Sequence, residues 1–126
     1  MESHHITKPN EVSGFEMIEI AKNYALLSQC KKRKVGCVVI KDKTIVSYGF
    51  NHGFEEQCSC SHDEKNPHVI HAEQMALCGN DREVYEGATI YVTYPPCEKC
   101  MILIEKCKLK EVVYLDKSGV KITCKI

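Results

Sequence analysis

The chain has 126 residues, of which 44% are hydrophobic, and its 17 basic and 17 acidic residues give a formal net charge of zero. This length predicts one small domain with a core of its own, and the composition excludes a disordered or low-complexity chain. The balanced charge argues against a dedicated nucleic-acid binder, because such a protein needs a basic excess to neutralise phosphates. No stretch approaches the roughly 20 apolar residues that a membrane-spanning helix needs.

Nine cysteines stand out in so short a chain. Residues 1–10 are polar and lack the apolar segment that a secretory signal requires. We therefore expect a cytoplasmic protein (in the host cytoplasm, if the source is a virus), where cysteines are more often metal ligands, nucleophiles or small buried hydrophobes than disulfides. Four of them fall on apolar faces and are expected to fill the core: Cys37, Cys78, Cys107 and Cys124.

The N-terminal part of the chain predicts a tail and one helix. Residues 1–12 are expected to form a disordered tail, and residues 13–126 a single domain. Ser13 and Glu16 have the spacing of a capping box, and the apolar residues after them recur at helical spacing up to Ser28. The pattern predicts a helix that begins near residue 13 and lays one face on a core.

Five segments have the hydrophobic pattern of β-strands, namely residues 35–40, 44–50, 88–93, 111–115 and 120–126. The first is a continuous apolar run, which is typical of a strand buried on both faces, and the second returns antiparallel to it after a turn at Asp42-Lys43. The last alternates apolar residues with lysine and threonine, as a half-exposed edge strand does. Only residues 116–119 precede it, and a parallel crossover needs about a dozen residues, so this strand should run antiparallel to its predecessor.

Two further helices are predicted between these strands. A polar stretch rich in cysteine and histidine, residues 51–69, is too long for a simple spacer and is expected to be functional. A helix then begins near His71 and stops by Gly79, and Pro95-Pro96 opens another over residues 97–107. The order of elements predicts an α/β fold, a three-layer α/β/α domain around one mixed five-stranded sheet.

The residues with the clearest chemistry are His71 and Glu73, followed by the C-x-x-C pair Cys97 and Cys100. A catalytic zinc ion takes three protein ligands and keeps one position open for water, and His nitrogen and Cys thiolate suit it. The two cysteines stand three apart at a predicted helix start, so their sulfurs share a face, and the free N–H groups there favour thiolate over thiol. A C-x-x-C pair alone also occurs in redox motifs and zinc ribbons, but no second C-x-x-C is present.

Together these residues match H-x-E…P-C-x-x-C, the known signature of zinc-dependent nucleobase deaminases. Residues 15–116 resemble the cytidine/deoxycytidylate deaminase superfamily, and specifically its deoxycytidylate (dCMP) branch. Four segments carry the resemblance: residues 28–39 (SQCKKRKVGCVV), 49–53 (GFNHG), 70–76 (IHAEQMA) and 91–97 (YVTYPPC). The resemblance implies a cytidine-deaminase-like fold and a zinc ion held by His71, Cys97 and Cys100. It also implies that Glu73 carries protons between water, ring N3 and the departing amine.

The resemblance implies further substrate contacts. Asn51 is expected to hydrogen-bond the deoxyribose and to help order the site, although an Asn before His-Gly is also an ordinary turn residue. Ala72 is expected at the substrate, and Tyr94 either stacks on the base or only packs. Arg33 is expected to reach a substrate or effector phosphate, although the charged run at residues 31–34 is also typical of a solvated loop.

The family implies a homo-oligomer, often a hexamer, and control by dCTP and dTTP. Some members hold a second, structural zinc ion, for which this chain offers Cys30, Cys58, Cys60 and His62; the alternative is a loop that happens to carry soft side chains. His52 replaces a glycine in the GFNHG segment, which weakens the case for an effector site there. Met75 replaces the usual Asn at a core-facing position.

We therefore interpret the chain as a zinc-dependent hydrolase that converts dCMP to dUMP and ammonia and so supplies a precursor of thymidylate. Other substrates stay open: dCTP, a free nucleoside or a base in a polynucleotide, although a strand-binding channel is disfavoured by neutral charge, few aromatic residues and no tryptophan. The alternative from another class is a non-catalytic, zinc-bound regulatory subunit.

Overall fold

The computed structural model describes residues 16–53 and 69–126. The elements in these residues are, in chain order, α1 (Met17–Ala25), β1 (Gly36–Lys41), β2 (Thr44–Phe50), β3 (His52–Gly53), β4 (Val69–Ile70), α2 (Ala72–Ala76), α3 (Arg82–Tyr85), β5 (Thr89–Val92), α4 (Glu98–Lys106), β6 (Glu111–Leu115) and β7 (Lys121–Lys125). The predicted tail, the capping residue Ser13 and most of the cysteine-rich stretch lie outside the described residues. No helix in the described residues is long and apolar enough to span a membrane.

A five-stranded mixed sheet in the order β2-β1-β5-β6-β7 forms the centre of the fold. Only β5 and β6 pair in parallel, and the other neighbours are antiparallel. The β1–β2 hairpin turns through Asp42 and Lys43, which both have positive φ (52° and 64°), as a tight two-residue hairpin requires. The predicted α/β class and mixed five-stranded sheet are confirmed.

Helices cover both faces of the sheet, because successive strand residues point to opposite sides. On one face, Val38 and Ile40 of β1 pack with Ala21 of α1. On the other, the side chains of β1, β5 and β6 pack with α2 and α4, and this larger cluster contains Cys37, Val39, Ile90, Val92, Val112, Ala72, Ala76 and Ile104. These three layers put the N-termini of α2 and α4 on the same side of the sheet.

The last strand runs antiparallel to β6, as the short connection predicted. The turn is held by Asp116, whose Oδ1 accepts hydrogen bonds from the N–H groups of Ser118 and Val120 (2.8 and 2.9 Å). The expected half-burial is wrong, however: Val120 is 56% exposed and only Ile122 is half-buried in β7 itself. As the outermost strand, β7 pairs with β6 alone.

Several local expectations differ from the structure. Helix α2 ends at Ala76, three residues before the proposed stop at Gly79, while the short α3 and the β3–β4 pair were not predicted at all. Cys37 is fully buried and Cys107 is half-buried against the core, but Cys78 and Cys124 are exposed and fill no core. Cys78 lies in the surface bend after α2, and Cys124 lies on the outermost strand, so an apolar sequence neighbourhood did not place either of them inside.

Candidate functional site

The three predicted metal ligands come together at the ends of two helices. The Nδ1 atom of His71 lies 3.6 Å from the Sγ of Cys97 and 3.5 Å from the Sγ of Cys100, and the three potential ligand atoms all lie within 4.8 Å of one another. In the described residues, no other group of three or more His, Cys, Asp or Glu side chains could hold a metal ion. The sequence motif therefore corresponds to one compact set of donors.

Local structure at the two helix starts sets the positions of these donors. His71 is the N-cap of α2, with extended backbone, and its N–H donates to the Oε1 of Gln74 (2.8 Å). Cys97 is the extended N-cap of α4, directly after two prolines that cannot extend a helix backwards, and Cys100 follows in its first turn. Both helices thus begin at the site with N–H groups that have no partner inside the helix.

The side chain of Glu73 is buried beside this trio. Its side chain is only 4% exposed, and burial raises its pKa to about 7, against the opposing effect of hydrogen bonds from its own N–H and from Cys100. Burial, and then the nearby charges of Glu73 and Cys97, raise the pKa of Cys100 strongly. A buried acid beside a set of metal donors is a candidate for moving protons in an active site.

This donor set fits a zinc ion. One imidazole nitrogen and two thiol sulfurs match the borderline-soft character of Zn²⁺, and three protein ligands leave a position for water. Without a cation, the packing of two thiols and a buried carboxyl favours their neutral forms, whereas a divalent ion reverses that preference and deprotonates a coordinating thiol. His71, Cys97 and Cys100 would therefore hold the metal, and Glu73 would stay outside its ligand set.

An open cavity leads to the trio and contains every residue predicted to bind substrate. It is lined by Arg33, Val35, Asn51, Val69, His71, Ala72, Glu73, Tyr94, Pro95 and Cys97. Of the charged run at residues 31–34, only the half-buried Arg33 lines this cavity, while the three lysines are exposed. Val35, Val69 and Pro95 were not predicted as site residues, since apolar residues beside strands carry no signal that separates a cavity wall from a core.

Asn51 hydrogen-bonds the backbone beside this cavity, which agrees with the expectation that it helps to order the site. It is 3% exposed. Its Oδ1 accepts from the N–H of Val35 (2.9 Å) and its Nδ2 donates to the carbonyl of Arg33 (2.9 Å). The backbone N–H of Asn51 donates to the carbonyl of Val35 (3.1 Å). Asn51 thus fixes the segment that carries Arg33, and its contact with a deoxyribose remains a prediction.

Arg33 and Tyr94 meet at the same cavity. The guanidinium carbon of Arg33 lies 4.0 Å from the centre of the Tyr94 ring, a geometry that favours cation–π attraction. The preceding residue, Thr93, accepts a hydrogen bond at Oγ1 from the N–H of Gly36 (3.1 Å). Thr93 was not predicted as a site residue, although it stands in the YVTYPPC segment that carries the family resemblance.

The remaining expectations have partial outcomes. Ala72 is fully buried at the start of α2 and lines the cavity. His52 hydrogen-bonds the carbonyl of Phe50 through Nδ1 (3.0 Å), and the N–H of Phe50 donates to the Sδ of Met75 (3.4 Å), so both family departures stabilise the chain between β2 and β3. Cys30 is buried, but its proposed partners in a second zinc site, Cys58, Cys60 and His62, lie outside the described residues.

Comparisons with known proteins identify the family of this chain and several relatives. Residues 14–116 match the family described as the cytidine and deoxycytidylate deaminase zinc-binding region. The chain is 35% identical over 116 residues to the deoxycytidylate deaminase of Mycobacterium phage D29, which covers 79% of this chain and 91% of that protein. It is 32% identical over 108 residues to a probable deoxycytidylate deaminase of Caenorhabditis elegans, over 79% of this chain and 55% of the worm protein. The chain thus spans about half the length of that worm relative.

The fold is also similar to a solved structure. The dCMP deaminase from the cyanophage S-TIM5, crystallised in apo form, superposes with a TM-score of 0.67 and 30% sequence identity over 82% of this chain and 83% of that one. The same phage enzyme has been crystallised in complex with dCMP and dUMP, and this complex superposes with a TM-score of 0.65.

Proposed function

The chain belongs to the cytidine and deoxycytidylate deaminase zinc-binding family, and from this premise we propose that it catalyses the hydrolytic deamination of dCMP to dUMP and ammonia. Two phage relatives match this chain over most of their own length, and both are named as deaminases of that nucleotide. Water supplies the new oxygen at C4, and the exocyclic amine leaves as ammonia, so the reaction needs no redox partner.

The observation that carries this proposal is the buried carboxyl of Glu73 beside three zinc-type donors at an open cavity. A structural zinc site is closed by four protein ligands, whereas the described residues bring three donors together at a cavity. Glu73 is not needed to hold the metal. Burying an acid costs free energy of folding, and acids buried in this way concentrate at functional sites.

In the proposed mechanism, His71, Cys97 and Cys100 would hold a zinc ion, which would supply an activated water molecule for attack on C4 of the base. Glu73 would carry one proton of that water to ring N3. It would then carry the second proton, from the new C4 hydroxyl, to the amine, which leaves as ammonia as the C4=O bond forms. The apolar walls formed by Val35, Val69 and Pro95 lower the polarity around Glu73, which strengthens its electrostatic interactions. His71 is held in place by the hydrogen bond from its N–H to Gln74.

Four other residues orient the substrate in this proposal. Asn51 contacts the deoxyribose, and Ala72 contacts the base from the first turn of α2. Arg33 binds the 5′-phosphate, since it is the only lysine or arginine among the described residues that line the cavity. Tyr94 lies next to Arg33. A single arginine of this kind suits a nucleotide better than a polynucleotide, which needs a basic track along several phosphates.

The test is the release of ammonia from dCMP, dCTP, deoxycytidine, cytosine and a short cytosine-containing DNA strand. We expect the highest kcat/KM for dCMP. Glu73→Gln keeps the shape of the side chain but cannot carry a proton, so it should retain zinc and lose about 10²–10⁴-fold in activity. Preferential turnover of the strand would indicate a polynucleotide deaminase. A zinc-loaded protein without activity on any substrate would indicate a regulatory subunit.

The finer features implied by the resemblance also belong to this proposal. We expect a homo-oligomer, with a hexamer as the first choice, regulation by dCTP and dTTP, cytoplasmic location and a role in thymidylate precursor supply. Light scattering coupled to gel filtration measures the assembly, and kinetics with added triphosphates test the regulation. Zinc counting by mass spectrometry distinguishes one metal ion per chain from two, the second held by Cys30 and the ligands at residues 58–62.

A further inference from the structure

Arg33 is held over an aromatic ring at the cavity. Its guanidinium carbon lies 4.0 Å from the centre of the Tyr94 ring, and both residues line the cavity and are half-buried. Arginine loses much rotamer freedom when it is fixed to bind a ligand. A side chain that already rests on a ring has lost part of that freedom before the ligand arrives, so the ring favours binding by preorganisation.

Backbone contacts fix both members of this pair. The N–H of Gly36 donates to the Oγ1 of Thr93 (3.1 Å), and the N–H of Thr93 donates to the carbonyl of Gly36 (3.0 Å). On the other side, Asn51 bonds the carbonyl of Arg33 and both backbone groups of Val35. The first residue of β1 is therefore tied to the residue after β5, and the segment before β1 is tied to the residue after β2. Together these ties bring Arg33 to Tyr94.

Tyr94 also stands three residues before the metal-binding Cys97, across two prolines. Proline fixes φ near −65° and leaves little freedom between the ring and the thiol. The position of the guanidinium is thus set relative to the metal-binding residues by a short, stiff piece of chain. The ring face that Arg33 covers is, in addition, not available for stacking on a base.

We propose that Tyr94 is a positioning residue that holds the Arg33 guanidinium for the substrate's 5′-phosphate and so sets the selectivity for a nucleotide over a nucleoside. This inference rests on the proposed function and adds a role that differs from base stacking. Its consequence is specific: loss of the ring reduces the advantage of dCMP over deoxycytidine, because only dCMP carries the group that Arg33 binds.

The test compares kcat/KM for dCMP and for deoxycytidine in a set of variants. Arg33→Gln should lower the ratio of the two values by about 10- to 100-fold, the range for a hydrogen bond to a charged group. Tyr94→Leu should lower the ratio by about 3- to 10-fold, whereas Tyr94→Phe, which keeps the ring, should stay within about twofold of the wild-type ratio. Lys32→Ala, at an exposed neighbour outside the cavity, is the matched control and should leave the ratio unchanged.

A double variant makes the dependence explicit. In the Arg33→Gln background, Tyr94→Leu should cause no further fall in the ratio, because the ring acts through the guanidinium. Calorimetric binding of dUMP and of deoxyuridine supplies the same ratio without turnover. Circular dichroism of each variant confirms that it is folded.

Three results would overturn the inference. If Tyr94→Leu lowered kcat/KM for dCMP and for deoxycytidine by the same factor, both in the wild-type protein and in Arg33→Gln, Tyr94 would stack on the base. If the ratio fell with Arg33→Gln but not with Tyr94→Leu, the proposed function would stand and only the role of Tyr94 would fail. If the wild-type protein turned over and bound nucleotide and nucleoside alike, phosphate recognition itself would be wrong, and the proposed substrate with it.

Discussion

Gly49 of β2 is the point at which the sheet meets helix α2, and replacing it with alanine tests how tightly the metal site is positioned. A Cβ at this residue would lie 2.1 Å from the carbonyl oxygen of Ala72 and 2.9 Å from the backbone nitrogen of Ala76. Ordinary contact begins at 3.4 Å, so relief of the first clash requires a movement of about 1.3 Å, the difference between 3.4 and 2.1 Å. His71 and Glu73 would be carried along with the helix.

Such a movement exceeds what the site can absorb. Zinc–ligand distances tolerate about 0.2 Å, and a misplacement near 1 Å can cost on the order of 10²-fold in rate. We therefore expect Gly49→Ala to lose most of its zinc affinity and about 10²-fold in kcat/KM for dCMP. Overpacking should also lower the free energy of unfolding by about 1–3 kcal/mol. Zinc affinity is measured by chelator competition, and stability by urea denaturation.

Two matched controls separate stability from positioning. Gly36→Ala creates a similar clash, with a Cβ 2.2 Å from the carbonyl oxygen of Ala21, but against α1 on the opposite face of the sheet. It should be destabilised to a similar extent and bind zinc more tightly than Gly49→Ala, because it does not displace α2, which carries His71 and Glu73. Gly79→Ala meets nothing within 4 Å and should change neither property. Wild-type zinc affinity and activity in a destabilised Gly49→Ala protein would refute the reasoning, because α2 would then have moved without disturbing the ligands.

Two further predictions concern the core. Tyr85 is 1% exposed, and its hydroxyl accepts hydrogen bonds from the N–H and the Nδ2 of Asn80 (3.2 Å each). Tyr85→Ala should therefore lower the free energy of unfolding by about 3–5 kcal/mol, and Tyr85→Phe should lower it by about 1 kcal/mol. Urea denaturation measures both values. The exposed Cys78 and Cys124 should react with iodoacetamide in the native protein. Cys37 should react only after unfolding, because burial raises the pKa of its thiol well above the usual value. Labelling of Cys37 at the rate of Cys124 under native conditions would contradict this prediction.

The strands and the chemistry of the site could be predicted from local pattern. The residues of β1 and of the hairpin to β2 are enough to predict these two elements. The strands at Thr44–Phe50 and Glu111–Leu115 have the predicted bounds. The direction of β7 followed from the length of one connection. The metal ligands were recognisable because their residue types and helix-start positions are dictated by the coordination chemistry of zinc.

The features that were missed depend on position in the fold. Cys124 alternates with polar residues as a half-buried strand residue does, yet β7 is the outermost strand and most of its side chains are exposed. The β3–β4 pair joins residues 52–53 to 69–70, so it forms only when the chain returns after a long stretch. Helix α3 has four residues, too few for a helical period to show in the sequence.

The meeting of Arg33 and Tyr94 follows from sheet register, which links the two halves of the site. Strands β1 and β5 pair antiparallel with Cys37 opposite Val92, so the segment that leads into β1 lies beside the segment that leaves β5. The first of these segments carries Arg33 and the second carries Tyr94 and, three residues on, Cys97. A slip of one residue would send each side chain of β5 to the opposite face of the sheet. The same register that buries Val92 therefore places the guanidinium and the candidate metal ligand Cys97 at one cavity, and this cannot be read from either segment alone.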